Sequence, residues 1–141
     1  ALALADGGAI VFGVELNPAL LLYTLCGIAR YSPSLSRRIH ARRSDYRRVL
    51  QRAQPGSYDH VYLDPMFDPN NHGSALPKRP AQILRTLVGP DEDAPVLFEQ
   101  ATDIAQRVVV KRARGNAPLT REPTHAIHGK TIRYDVYLQS K

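Results

Sequence analysis

The sequence predicts a doubly wound α/β sheet closed by a C-terminal antiparallel hairpin, and three observations carry that expectation. Short apolar runs bounded by glycine, proline or acids alternate with helical segments, the pattern of parallel strands joined by crossover helices. Three successive strand-like runs are each followed by an acid, Glu15, Asp45 and Asp64. Finally, after a proline- and glycine-rich connection, residues 125–128 and 131–138 read as a terminal hairpin that turns at Gly129-Lys130.

The elements follow in order. Residues 1–5 read as the end of a helix that Asp6-Gly7-Gly8 breaks. Residues 9–15 form a continuous apolar run closed by Glu15, hence a buried strand. Asn17-Pro18 opens a helix running to about residue 30, with Asn17 as cap and Pro18 at the first helical position. Residues 31–36 read as a loop. Ile39 and Ala41 alternate with polar neighbours, so residues 38–44 are expected to form an outer strand, followed by a short helix over 46–53 with Val49 and Leu50 facing inward. Gln54-Pro55-Gly56-Ser57 turns into a strand that ends at Asp64. Residues 68–80 are rich in proline and glycine and read as a long loop. Helices are expected over 81–88 and 96–106, divided by Gly89-Pro90-Asp91, and a strand over 107–112.

With 141 residues and 43% hydrophobic composition, the chain holds one domain's worth of material and enough apolar side chains for a core. The longest apolar stretch, residues 19–25, is far short of the roughly 20 residues that span a bilayer, so a helical membrane anchor is not expected. The single cysteine, Cys26, fits a reducing cytoplasm and is expected to be a buried, inert thiol. The five histidines share no metal-ligand spacing, and His125 and His128 point to opposite faces of a strand, so no zinc site is expected. No serine stands in a nucleophile-elbow context.

Charge is distributed unevenly. The chain carries a formal +6, yet residues 30–54 alone hold eight arginines against one acid, Asp45. Arginine grips phosphate bidentately, so Arg37, Arg38, Arg42, Arg43, Arg47 and Arg48 are candidates for RNA binding, with Lys111 and Arg112 as a second basic pair. The plainer alternative is a solvated basic face.

The most informative stretch is His60-Val61-Tyr62-Leu63-Asp64-Pro65-Met66-Phe67, a strand that stops at an acid, a proline and an aromatic. Ligands of parallel sheets bind just beyond the carboxyl ends of the strands, which is where Asp64 stands. Pro65 has no N–H and stops the pairing, freeing nearby carbonyls to face a ligand. Phe67 offers a flat face beside a carboxylate. An exocyclic amine on a nucleobase is a weak nucleophile, because its lone pair is delocalised into the ring. Asp64, or a carbonyl of Asp64-Pro65-Met66, can accept its N–H groups while Phe67 stacks on the base. The same Asp-Pro pair also suits a simple turn.

Several segments resemble the class I S-adenosylmethionine-dependent methyltransferases, and more closely the methyltransferase J family of small-subunit ribosomal RNA, which methylates guanine N2. The matching words are Val14-Glu15-Leu16-Asn17-Pro18, Val61-Tyr62-Leu63-Asp64-Pro65-Met66-Phe67, Ser74-Ala75-Leu76, Leu87-Val88-Gly89-Pro90-Asp91 and Val108-Val109-Val110-Lys111-Arg112. The resemblance implies a Rossmann-like methyltransferase domain over residues 1–141 with S-adenosylmethionine as cofactor. It also implies ribosomal RNA or the small ribosomal subunit as partner, and a cytoplasmic location. Glu15 would hold the cofactor ribose and Leu16 pack on the adenine, with Ser44 and Asp45 flanking the ring. Asp64 would stand at the methyl-transfer site, touching both cofactor and target, with Pro65 and Phe67 beside it. Where many amino-methyltransferases carry a second proline, this chain has Met66. The family's first strand and glycine-rich loop are expected upstream of Ala1, so the chain reads as a partial catalytic domain, truncated at its amino end, whose isolated form is inactive and binds cofactor poorly. Two other readings compete: a non-catalytic RNA-binding fragment, and a nicotinamide-dependent oxidoreductase in which Glu15 binds a ribose but Asp-Pro-Met-Phe has no role.

Overall fold

The computed structural model describes residues 1–65 and 93–139, which form two compact units, Ala1–Arg52 and Ala53–Lys141. The first contains α1 (Leu2–Asp6), β1 (Val11–Glu15), α2 (Pro18–Tyr31), α3 (Pro33–Ser36), β2 (Ile39–Arg43) and α4 (Tyr46–Arg52). The second contains β3 (Tyr58–Leu63), α5 (Ala94–Ile104), β4 (Ala105–Ala113), β5 (His125–His128) and β6 (Ile132–Leu138). The α/β class and the terminal antiparallel hairpin are as the sequence predicts, and the described strands fall into two sheets. The expected helix over 81–88 and the loop over 68–80 lie outside the described residues.

In the first unit β1 and β2 pair in parallel, from Val11 opposite Ile39 to Glu15 opposite Arg43. α1 ends where Gly8, at φ 96°, takes the left-handed conformation that relieves a helix end. Asn17 caps α2 as expected, its side-chain oxygen accepting from the amides of Ala19 and Leu20 at 2.9 and 3.3 Å. The helix stops at Tyr31 because Ser32 precedes Pro33 and is held extended, at φ −161°. Pro33 then opens the one-turn helix α3 where the sequence suggested only a loop, since its fixed φ suits a first helical position. The core is small: Ala5, Ile28 and Ile39 are buried, with Leu2, Val11 and Leu35 packed around them.

That small core corrects one expectation. Cys26 is exposed. It lies two residues, about 200° of helical turn, from Ile28, the buried residue of α2, so it points away from the sheet.

In the second unit the strand order is β3-β4-β6-β5. β3 runs parallel to β4, while β6 runs antiparallel to both β4 and β5. α5 lays Phe98, Ala101 and Ile104 on one face of this sheet. There Phe98 and Ala101 meet Leu63, Val108, Val110 and Tyr137, and the rings of Phe98 and Tyr137 pack edge to face at 4.5 Å. The helix stops at Ile104, two residues before the expected end, because Ala105 pairs with Tyr58 and starts β4. Sheet pairing overrides the helical preference of Ala105 and Gln106.

The same face carries buried charge. Asp135 is 0% exposed and holds Arg133 in a two-pronged ion pair at 2.7 and 3.0 Å. The hydrogen bond to Asp135 raises the Arg133 guanidinium further above its already high value. Arg112, opposite Arg133 in the ladder, is buried and donates to the carbonyl of Ala117 at 2.9 and 3.2 Å, while the Tyr137 hydroxyl donates to the carbonyl of Arg121 at 3.1 Å. These bonds tie the connection between β4 and β5 to the sheet.

Two outcomes follow. Replacing Asp135 with alanine strips Arg133 of its partner inside the fold, where breaking such a pair costs about 3–5 kcal/mol, so urea unfolding should show a loss of that order. A loss below about 1 kcal/mol would mean the pair is solvated. Burial first, and then the charge of Asp135, pushes the Tyr137 phenol up to about 12 from 10.0. The folded state thus holds that proton more tightly than the unfolded chain does. The associated stability is complete below pH 10 and is lost as pH rises towards 12. Tyr137→Phe should flatten the alkaline arm of a plot of unfolding free energy against pH, and an unchanged arm would contradict the shift.

Candidate functional site

Parallel pairing brings the carboxyl ends of β1 and β2 to one level, where four expected site residues stand. The Ser44 amide donates to the Glu15 carbonyl at 3.2 Å, so Ser44 and Asp45 lie directly beside Glu15 and Leu16. One oxygen of the Glu15 carboxylate, Oε1, accepts the Asn17 amide at 2.8 Å, which fixes the side chain at the strand end. A carboxylate has further acceptor positions, suited to the paired hydroxyls of a ribose. Leu16 is 58% exposed and presents an apolar surface next to that carboxylate. Asp45 accepts the Arg47 amide at 2.9 Å, the geometry of a cap on the first turn of α4. An acid for a diol, an apolar side chain for a ring and a rigid connection between them fit the adenosine part of S-adenosylmethionine.

At the carboxyl end of β3 the register places Leu63 opposite Val110, so Asp64 and Lys111 occupy the next rung. Both point away from α5, because Leu63 and Val110 point towards it. The Lys111 ammonium donates to Asp64 Oδ2 at 3.0 Å. Tyr134 is the partner of Lys111 on β6, and its ring lies 6.4 Å from that of Tyr62, tilted by 45°. Burial first, then the charge of Asp64, then Tyr134 and a hydrogen bond to Asp64, push the Tyr62 phenol up to about 12. Pro65 follows at the strand end, half-buried. Phe67 and Met66 lie outside the described residues, as do the Ser74-Ala75-Leu76 and Leu87-Val88-Gly89-Pro90-Asp91 words. Glu15 and Asp45 thus stand at the carboxyl ends of one sheet and Asp64 at that of the other.

Two members of this cluster escape a reading of the sequence. Tyr62 was available from strand periodicity, standing two residues before Asp64 on the same face. Tyr134 was not, because its neighbours depend on the pairing of β6 with β4. A polar cleft of about 330 Å³, lined by Thr102, Asp103, Arg121, Glu122 and Thr124 among others, lies at the opposite end of β4 from Lys111 and contains none of the candidate residues. Among the described residues, no three His, Cys, Asp or Glu side chains gather as a metal site.

The basic residues separate into two kinds. Arg37, Arg38, Arg42, Arg43, Arg47 and Arg48 are all exposed on α3, β2 and α4 or the turns between them. Arg38 donates to the carbonyl of Gly8 at 2.6 Å, and Arg47 lies over the ring of Tyr46 at 5.6 Å. Arg42 and Arg43, adjacent on a strand, point to opposite faces. Arg112 departs from the expectation of a displayed phosphate ligand. It is 7% exposed and turned onto the carbonyl of Ala117, because its position in β4 faces the side covered by α5.

Comparison with known proteins adds the following. The chain is 51% identical over 82 residues to a ribosomal RNA small subunit methyltransferase J of Thioalkalivibrio sulfidiphilus, covering 57% of this chain and 32% of that protein. A protein of the same name from Chromohalobacter salexigens is 50% identical over 80 residues, covering 55% and 31%. The matched region thus spans about a third of the length of these curated relatives. Among solved structures, a SAM-dependent methyltransferase of Neisseria gonorrhoeae superposes with a TM-score of 0.68 at 30% identity, over 97% of this chain and 59% of that one, consistent with a Rossmann-like fold. Among the described residues no helix is long and apolar enough to cross a membrane. The model of one family, described as putative SAM-dependent methyltransferases, matches residues 2–139, and the chain belongs to that family.

Proposed function

We propose that residues 1–141 act as a catalytic domain that methylates small-subunit ribosomal RNA in the cytoplasm, with the exocyclic N2 of a guanine as acceptor. The observation that carries this reading is the pair of acids at carboxyl strand ends, Glu15 beside exposed Leu16 and Asp64 beside Pro65, in a chain half identical, over its matched region, to proteins named ribosomal RNA small subunit methyltransferase J.

S-adenosylmethionine, when bound, supplies a methyl group activated by a sulfonium. Everything else falls to the chain. Glu15 would accept the ribose hydroxyls, Leu16 would pack against the adenine, and Ser44 and Asp45 would flank it. Asp64 would accept an N–H of the guanine amine and so orient the nitrogen for attack on the methyl group. Pro65 cannot donate, so no competing amide is offered at that position. Phe67 would stack on the base. The guanine amine would take up the methyl group and lose a proton to solvent, sulfur keeping the electrons of the broken bond. Catalysis is then positioning, with no covalent enzyme intermediate.

The exposed arginines would hold the RNA backbone. Their exposure also favours a second reading, RNA binding without catalysis, in which the native gene product binds RNA but neither binds S-adenosylmethionine nor transfers methyl.

Two measurements test the proposal. In the native gene product, Asp64→Asn should abolish most methyl transfer while S-adenosylmethionine binding, followed calorimetrically, persists; parallel loss of cofactor binding would assign Asp64 to the cofactor instead. Replacing Arg42 and Arg43 with alanine should flatten the salt dependence of RNA affinity, each lost phosphate contact lowering the log–log slope by roughly 0.7 to 0.9. Equal slopes for parent and double variant would make this surface an ordinary solvated face.

A further inference from the structure

The geometry points to Lys111 as a positioning residue for methyl transfer, one that acts on the target amine through Asp64 rather than by gripping RNA phosphate. This rests on the proposed role of Asp64. Three observations support it. The ladder places Lys111 one rung beyond the Leu63–Val110 pair, so its backbone is fixed by β3 on one side and by Tyr134 of β6 on the other. Its ammonium donates to Asp64 Oδ2 at 3.0 Å, and it reaches the carboxylate across the strand pair, from a residue 47 positions away. The side chains are 35% and 41% exposed, a setting in which an ion pair adds little to stability. Its effect here is geometric.

Asp64 is the last residue before a proline that ends the strand, so its carboxylate has no further rung of sheet to hold it. Lys111 supplies what the sheet does not, a donor that reaches the carboxylate from the neighbouring strand. An ionised carboxylate offers about four acceptor positions. One donor on Oδ2 leaves room for the N–H groups of a base amine, and it holds the carboxylate in the orientation in which that amine is received. Arg112, the next residue, points to the α5 face and takes no part. Lysine suits the position because its single ammonium can occupy one oxygen without the two-pronged grip by which arginine would cover both.

The test compares Lys111→Met, Lys111→Arg, Asp64→Asn and the Asp64→Asn/Lys111→Met double variant in the native gene product, using small-subunit ribosomal RNA and S-adenosylmethionine. Lys111→Met is expected to lower kcat by roughly 10²-fold, the order produced by small misplacements of a reacting group, with KM for RNA and the salt slope of RNA affinity unchanged. Lys111→Arg should recover part of the loss. The double variant should be no worse than Asp64→Asn alone, since a residue acting through Asp64 has nothing to act on once the carboxylate is gone. A lower salt slope and raised KM with unchanged kcat would overturn the proposal and make Lys111 a phosphate ligand. Losses that add in the double variant would overturn it equally. The ion pair is read separately: the Lys111 Nζ signal in ¹⁵N NMR should change on Asp64→Asn, and an unchanged signal would dissolve the pair. An intact pair in a parent protein that binds RNA but never transfers methyl would remove the functional reading itself, and the positioning role with it.

Discussion

Parallel strand pairing is the constraint on which the rest of the structure depends. Strands that run the same way keep one register along their length, so a residue that closes one strand is placed beside a fixed position on its neighbour. Between β1 and β2 this sets Glu15 and Leu16 beside Ser44 and Asp45. Between β3 and β4 it sets Asp64 beside Lys111. In each case the polar group at the strand end is held by a short bond, Glu15 by the Asn17 amide and Asp64 by the Lys111 ammonium. A one-residue slip of β3 on β4 would turn Asp64 to the α5 face and bury its carboxylate among Phe98, Val108 and Val110.

The two units secure those strand ends differently. In Ala53–Lys141 the sheet is pinned by Phe98 and Tyr137, by the Arg133–Asp135 pair and by Arg112 on Ala117. Buried charge of this kind is costly to remove one partner at a time, so it specifies an arrangement more than it adds stability. In Ala1–Arg52 the core is three small or medium side chains, and Phe12, Leu22, Tyr23 and Tyr31 are exposed. There the order comes from local chemistry: the Asn17 cap, the Ser32–Pro33 break and the Gly8 turn.

Features of that local kind were legible in the sequence. Asn17-Pro18 announces a capped helix, Asp6-Gly7-Gly8 a helix end, and Gly129-Lys130 a hairpin, since each depends on backbone preferences within a few residues. The end of β3 at Asp64 was legible for the same reason, Pro65 being unable to continue the ladder. Pairing was not, because it joins residues far apart in the chain. Lys111 therefore read as a surface cation, although it bonds to a carboxylate 47 positions away. Arg112 read likewise, and the ladder turns it inward. The exposure of Cys26 and the early end of α5 were set by what each helix packs or pairs against, which helical periodicity alone does not fix.

The central claim is that a carboxylate at the end of β3 presents a guanine amine for methylation. Its most direct test is the position of the transferred group. Small ribosomal subunits lacking the modification would be incubated with the native gene product and methyl-labelled S-adenosylmethionine, then digested to nucleosides and separated with mass detection. The account predicts label in N2-methylguanosine and the loss of most of it when Asp64 is replaced by asparagine. Label on a ring nitrogen, a ribose hydroxyl or another base would contradict it.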